Sequence, residues 1–155
     1  MQKLQPVLLF ILVLWFHPAF SQQFIDKNKE KVLKKLNGYE KKEKINTTIS
    51  ETDSSVTFLL RDTGWQNLDQ HFYFNQKGKC YKEVLQANCD SCFQKYLNQA
   101  LNIKMYKWQK INSLKYLSNY TWQLLLVIDP GSAFTFSIQK LNLTKTEFNH
   151  LKLVN

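Results

Sequence analysis

Glycine, arginine and histidine are scarce in this chain of 155 residues, and each shortage removes a class of chemistry. Four glycines, each near a turn or a terminus, provide no glycine-rich loop of the kind that cradles phosphate on backbone N–H groups. Arg61 is the single arginine, so the bidentate guanidinium forks of dedicated nucleic-acid readers are missing. Of three histidines, His17 lies in an apolar leader, which leaves His71 and His150 as imidazole bases, neither of them in a nucleophile motif. The acids Glu30, Glu40, Glu43, Glu51 and Asp53 lie in lysine-rich or loop contexts, where solvated charge is the rule. Internal repeats, low-complexity tracts and long linkers are also absent from the sequence.

What is present begins with an export signal. Lys3 supplies a positive start, Val7 to Phe16 is an unbroken apolar run, and Ala19-Phe20-Ser21 offers the small residues a signal peptidase reads. The run is about half of the roughly 20 residues that span a bilayer, so residues 1–21 are expected to be removed after Ser21. Residues 22–155 then form a single domain, long enough for a real core. Without Lys3, 20 basic residues face 12 acidic ones, a surplus of +8 that favours solubility and weak attraction to anionic surfaces.

The periodicity of the remainder alternates between helix and strand. Phe24, Ile25, Val32, Leu33 and Leu36 share one face of a short helix that Asp26 can cap and Asn37-Gly38 can stop. Lys27, Lys31, Lys34 and Lys35 fall on that helix, and they are the residues through which an anionic surface would be held. Period-two runs follow: KINTTIS as an edge strand, SVTFLLR with Val56, Phe58 and Leu60 on one side, and two strands around Asn75-Gln76-Lys77-Gly78, whose glycine suits a bulged hairpin turn. A second helix carries Phe93, Leu97, Ala100, Leu101 and Met105, with Asn88, Asp90 or Ser91 as its cap and Ser91 and Gln94 spaced as a capping box. Tyr120 to Ile128 reads as a strand buried on both faces, Asp129-Pro130-Gly131-Ser132 as a turn, and Phe134, Phe136 and Ile138 as the returning strand. One further strand is expected within 108–117, and Thr144 with Glu147 opens a C-terminal helix. The fold class is α+β: a mainly antiparallel sheet covered by a single layer of helices, in the order α-β-β-β-β-α-β-β(-β)-α.

All three cysteines lie between Lys79 and Cys92. In an exported protein they are expected to oxidise, and three pairings are open: Cys80 with Cys89 or Cys92, either of which would tie the hairpin to the helix start, or Cys89 with Cys92. Cys89-Asp90-Ser91-Cys92 is a C-x-x-C opening a helix, where free N–H groups and the helix dipole stabilise a thiolate. With Pro130 placed 38 residues beyond Cys92, this span resembles the thioredoxin family, and the resemblance implies Cys89 as nucleophile and Cys92 as resolving thiol. A metal cage would need a fourth ligand, for which His71 is the nearest candidate if strand pairing carries it towards Glu83. No metal or cofactor is expected. Three N-x-[S/T] sequons, at Asn46, Asn119 and Asn142, are potential glycan acceptors in a eukaryotic secretory pathway.

These features converge on a small exported protein, periplasmic or secreted, with a non-catalytic role in binding or at the envelope. A thiol–disulfide enzyme using Cys89 and Cys92 is the alternative.

Overall fold

The structure is a computed structural model that describes residues 24–43, 46–61 and 67–153. The leader, its cleavage site and the loop around Asp62-Thr63-Gly64 lie outside the described residues. Helix α1 (Lys29–Glu43) leads into four strands, β1 (Asn46–Glu51), β2 (Ser55–Arg61), β3 (Asn67–Phe74) and β4 (Cys80–Ala87). Helix α2 (Asp90–Leu101) and a 3₁₀ turn (Lys104–Tyr106) precede four more strands, β5 (Gln109–Lys110), β6 (Lys115–Leu117), β7 (Leu124–Ile128) and β8 (Thr135–Lys140). Helix α3 (Lys145–Leu153) ends the described chain.

The eight strands form one antiparallel sheet in the order β1-β2-β3-β4-β8-β7-β6-β5. Each half of the chain is thus a helix followed by a four-stranded meander, and the two meanders meet through their last strands. Because β4 and β8 run antiparallel, from Lys82 opposite Gln139 to Gln86 opposite Thr135, the halves are related by an approximate twofold axis through that seam. The sequence carries no trace of this repetition, since the two units share an element order and not a residue pattern.

Alternation selects the buried face. Val56, Phe58 and Leu60 of β2, Leu68, Phe72 and Phe74 of β3, Leu85 and Ala87 of β4, Leu124 and Leu126 of β7, and Phe136 and Ile138 of β8 all join one core. Helix α1 contributes Val32 and Leu36 to that core, and α2 contributes Phe93, Tyr96, Leu97 and Ala100, so both helices cover the same side of the sheet. Phe93 meets Phe136 edge-on at 6.0 Å, and Phe24 meets Phe72 edge-on at 4.9 Å, geometries favoured by the ring quadrupole. Leu117, opposite Leu125, faces the other side, and buried Phe148 of α3 stands outside the principal core with its ring against Tyr120 at 5.4 Å.

The hairpin between β3 and β4 is as its sequence implies: Gly78 adopts φ 68° and the register slips between Tyr73 and Phe74. Thr144 and Glu147 form the capping box of α3, each backbone N–H bound by the other's side chain at 2.7 and 3.3 Å.

Several boundaries differ from the sequence reading. Asp26 is not a cap; it sits at φ 65°, its N–H bonded to the Cys80 carbonyl and its carboxylate to Lys140 Nζ at 2.8 Å. Asn37-Gly38 does not stop α1, which continues for five residues beyond Gly38 through good helix formers. Tyr120 to Gln123 is a turn rather than strand, because Asn119 captures the N–H of Trp122 with its side chain and that of Gln123 with its carbonyl. Helix α2 ends at Leu101, which leaves Met105 exposed in the 3₁₀ turn, and the segment 108–117 makes two short strands instead of one.

A Cβ added at Gly38 meets nothing within 4 Å, and the position lies inside an exposed helical stretch. Gly38→Ala is therefore expected to stabilise the protein by about 1 kcal/mol, read as a shift of the urea midpoint at constant slope.

Candidate functional site

Three places combine polar groups in a way that could bind or react. The first is the solvent face of α1. Val32 and Leu36 turn inward, which puts Lys31, Lys34 and Lys35 on the outside of α1, and Lys27, which precedes the helix rather than lying on it as the sequence suggested, joins them in lining one shallow depression. Their long stems form its floor while the ammonium groups reach solvent. Lys35 Nζ lies 5.6 Å from the centroid of the Phe24 ring, and among the described residues Lys27, Lys31 and Lys34 form no ion pair. The β3–β4 turn extends this basic end, because an isolated bridge between Asn28 and Lys79 and a bond from Lys29 N–H to the Gly78 carbonyl hold the turn against the start of α1.

The second is the start of α2. Cys89 and Cys92 are joined in a disulfide, with Cα atoms 5.2 Å apart, and Cys89 is itself the N-cap, its sulfur accepting the Cys92 N–H at 3.1 Å. None of the three expected caps is used, and the Ser91–Gln94 capping box is not what holds the helix start; Ser91 Oγ lies instead 3.3 Å from the Cys89 sulfur. Cys89 is half-buried and Cys92 is buried behind it. The bridge closes within the first helical turn and does not tie the hairpin to the helix. Cys80 is a free thiol in the core opposite Phe74, pushed well above its ordinary pKa by burial and then by the Glu83 charge. Pro130, the other feature of the thioredoxin-like span, is in the β7–β8 turn, and no cis peptide bond occurs among the described residues.

The third place was not singled out from the sequence. Glu83 lies on β4, directly opposite Phe72 and Ile138 on the core side of the sheet. Its carboxylate accepts the Phe24 N–H at 2.6 Å and a further backbone bond from Ile25. The lead-in to α1 crosses the core there, its Asp26 N–H bonded to the Cys80 carbonyl, so a charged side chain supplies acceptors that no strand provides. Burial pushes the Glu83 carboxyl up to about 8, against the two backbone bonds, which favour the charged form. Tyr106, buried beside the same recess, is raised by burial and then by the charges of Glu83 and Asp26. A signal existed in the sequence: Glu83 shares the alternation of the core residues Leu85 and Ala87 along β4, whereas Cys80 joins that face only across the bulge at Tyr73/Phe74.

His71 does not approach Glu83. The two are on opposite faces of the sheet, with His71 across from Val84 on the open side and its Nδ1 3.1 Å from Thr57 Oγ1. His150 is exposed on α3. Of the sequons, Asn46 and Asn142 are exposed, whereas the Asn119 amide is committed to the fold through its bond to the Met105 carbonyl at 3.1 Å. The described helices include none long and apolar enough to cross a membrane. The chain matches no protein-family model, no curated protein and no solved structure.

A carboxyl whose folded pKa stands near 8 rather than 4.5 contributes stability that is complete below the lower value and is lost as pH rises through the upper one. Wild-type stability is therefore expected to fall, by up to several kcal/mol, between about pH 5 and pH 8.5. Glu83→Gln, which keeps an acceptor for Phe24, should flatten that dependence in urea titrations across the same range. An equal slope in both proteins would show that Glu83 ionises freely.

Proposed function

We propose that the mature chain is an exported, non-catalytic α+β domain that associates with anionic lipid surfaces through the lysine cluster of α1 and its lead-in. The observation that carries this reading is the convergence of Lys27, Lys31, Lys34 and Lys35 on one depression, beside the lysine-bearing β3–β4 turn. A lysine near a charged membrane surface contributes about 1 kcal/mol, so four give about 4 kcal/mol, an association in the millimolar range that salt weakens. Such binding suits a protein that visits an envelope surface repeatedly without being fixed to it.

The test is co-sedimentation with vesicles containing phosphatidylglycerol, compared with neutral vesicles, at 50 and 500 mM salt as round working values. Bound protein should drop at least about tenfold at the higher salt, and in the variant carrying Lys→Gln at all four positions, while a Lys104→Gln/Lys110→Gln control keeps its binding. Equal partition onto neutral vesicles, or no response to salt, would refute the assignment. Export is read separately: the intact mass of protein recovered outside the cytosol should correspond to a chain starting at Gln22.

A second reading rests on a specific observation at α2, a closed Cys89–Cys92 pair with the first sulfur reachable and the second buried. In the reduced form the Cys89 thiolate would attack a substrate disulfide, releasing one substrate thiolate and forming a mixed disulfide. Cys92 would then displace the second, passing two electrons to the substrate and restoring the observed bridge. The Cys92 N–H that meets the Cys89 sulfur favours the thiolate, while Asp90 beside it opposes that charge. Turnover in an insulin-reduction assay that disappears in Cys89→Ser would establish this activity; a rate equal to that of Cys89→Ser would dismiss it.

A further inference from the structure

Apart from the three places described above, a cluster of polar side chains stands on the open face of the sheet, and strand register builds it. Arg61 of β2 lies opposite Asn67 of β3, and Asp69 of β3 lies opposite Gln86 of β4. Directly paired residues have Cβ atoms about 4.5–5.5 Å apart, and alternation keeps Asn67 and Asp69 on one side, so the four side chains rise together. The Arg61 guanidinium donates to the Asp69 carboxylate and, at 3.0 Å, to the Leu60 carbonyl. Asn88, which follows β4, accepts the Asn67 N–H on its side-chain oxygen at 3.2 Å, which holds its amide beside β3. Among the described residues these five and Ala87 line a recess with about 310 Å³ open to the centre of a water-sized sphere. The recess is at the far end of β3 and β4 from the turn at Asn75 to Gly78 and on the opposite face from α1, so it is separate from the lysine cluster.

The lining decides the class of ligand. Small-molecule sites have volumes of roughly 300–1,000 Å³ and are mostly apolar, with a few polar groups that orient the ligand. Here that balance is inverted: among the described residues of the lining, Ala87 is the single apolar side chain and Arg61 the single cation. Lipid tails and flat aromatic ligands therefore find no platform. A small anion finds a guanidinium already facing a carboxylate. The described residues bring together no group of three His, Cys, Asp or Glu that could hold a metal ion. A peptide commonly binds as an added strand, but β2, β3 and β4 are each paired on both sides, so no strand edge is open beside the recess. What fits is a neutral ligand that donates and accepts at several adjacent points. Asn67, Gln86 and Asn88 each carry an amide oxygen and an NH₂ group, and Arg61 beside Asp69 repeats that donor–acceptor pairing. Neighbouring hydroxyls on a sugar ring match it, because each hydroxyl both donates and accepts.

We propose that this recess is a binding site for a neutral saccharide, held by the amides of Asn67, Gln86 and Asn88 and by the Arg61–Asp69 pair. The ion pair keeps both of its side chains in place before the ligand arrives, which lowers the ordering cost of binding. The site is open to solvent, with the Arg61 and Asp69 side chains 45% and 32% exposed, and it lacks an apolar floor. Binding is therefore weak, with a dissociation constant of about 1 mM, and suits a glycan polymer that presents the same ring many times.

The experiment is a nitrogen–proton correlation spectrum of the mature chain, titrated separately with maltotriose, cellotriose and diacetylchitobiose, each to about 20 mM. Glutamate, phosphate and trialanine serve as the charged and peptide probes. At least one saccharide should give saturable shifts confined to the amides of Asn67, Asp69, Gln86, Asn88 and their neighbours. Gln86→Ala and Asn67→Ala, both outside the core, should keep the folded spectrum and weaken that affinity at least about tenfold. The variant carrying Lys→Gln at all four positions of the lysine cluster should bind the saccharide as the wild type does. No saturable shift with any of the three saccharides, undiminished affinity in both alanine variants, or tighter binding of glutamate, phosphate or trialanine would each overturn the proposal.

Discussion

Pairing between β4 and β8 is the constraint on which the rest of the molecule depends. Each meander alone is a four-stranded sheet with one helix, and each would end in an open strand. Joining the two final strands turns both open edges into an interior ladder and makes a single apolar face wide enough for α1 and α2 to lie on together. The seam also gathers the chemistry: Glu83 and Ile138 face each other across it, Phe136 carries the core to Phe93 at the start of α2, and the Ala87 N–H bonds to the Phe134 carbonyl where the disulfide-bearing turn begins.

Glu83 is the cost of that arrangement. The lead-in segment at Phe24 and Ile25 is buried but pairs with no strand through those two N–H groups, so an acceptor must come from a side chain. A glutamine would do this without a charge. The carboxyl instead ties the lead-in's attachment to proton concentration near neutrality, and it does so beneath the same helix that presents the lysine face. Lys35 over the Phe24 ring links the two regions physically, since the residue whose N–H is held by Glu83 supports one of the four outward lysines. The outward lysine cluster and the interior carboxyl therefore meet on one short piece of chain.

How much of this was legible in the sequence differs by element. The strand SVTFLLR, the hairpin at Asn75 to Gly78 and the capping box at Thr144 were readable because alternation, a positive-φ glycine and a local side-chain reciprocity each act over a few residues. Lys31, Lys34 and Lys35 of α1 were readable for the same reason, while Lys27 was read onto a helix that begins only at Lys29. The twofold relation of the halves was not, because it lives in the pairing of β4 with β8, more than 40 positions apart on the chain. The reversal at Asn119 to Gln123 was hidden by Tyr120 and Trp122, which continue an alternating pattern that the asparagine side chain interrupts. The cysteine ambiguity ended in the most local pairing, since Cys80 opens β4 while Cys89 and Cys92 follow its far end, a whole strand length away. Glu83 escaped notice because a glutamate in a lysine-flanked strand reads as surface, and only the path of the lead-in makes it an interior acceptor.

Native-state hydrogen exchange tests the seam most directly. If β4–β8 pairing makes the two halves one cooperative unit, the amides of Val84, Leu85, Phe136 and Ser137 should fall in the slowest class, and slow amides from β2, β3 and β7 should share their opening free energy and denaturant dependence. Two distinct classes, one for each half, with the β4 and β8 amides exchanging before either, would contradict the account.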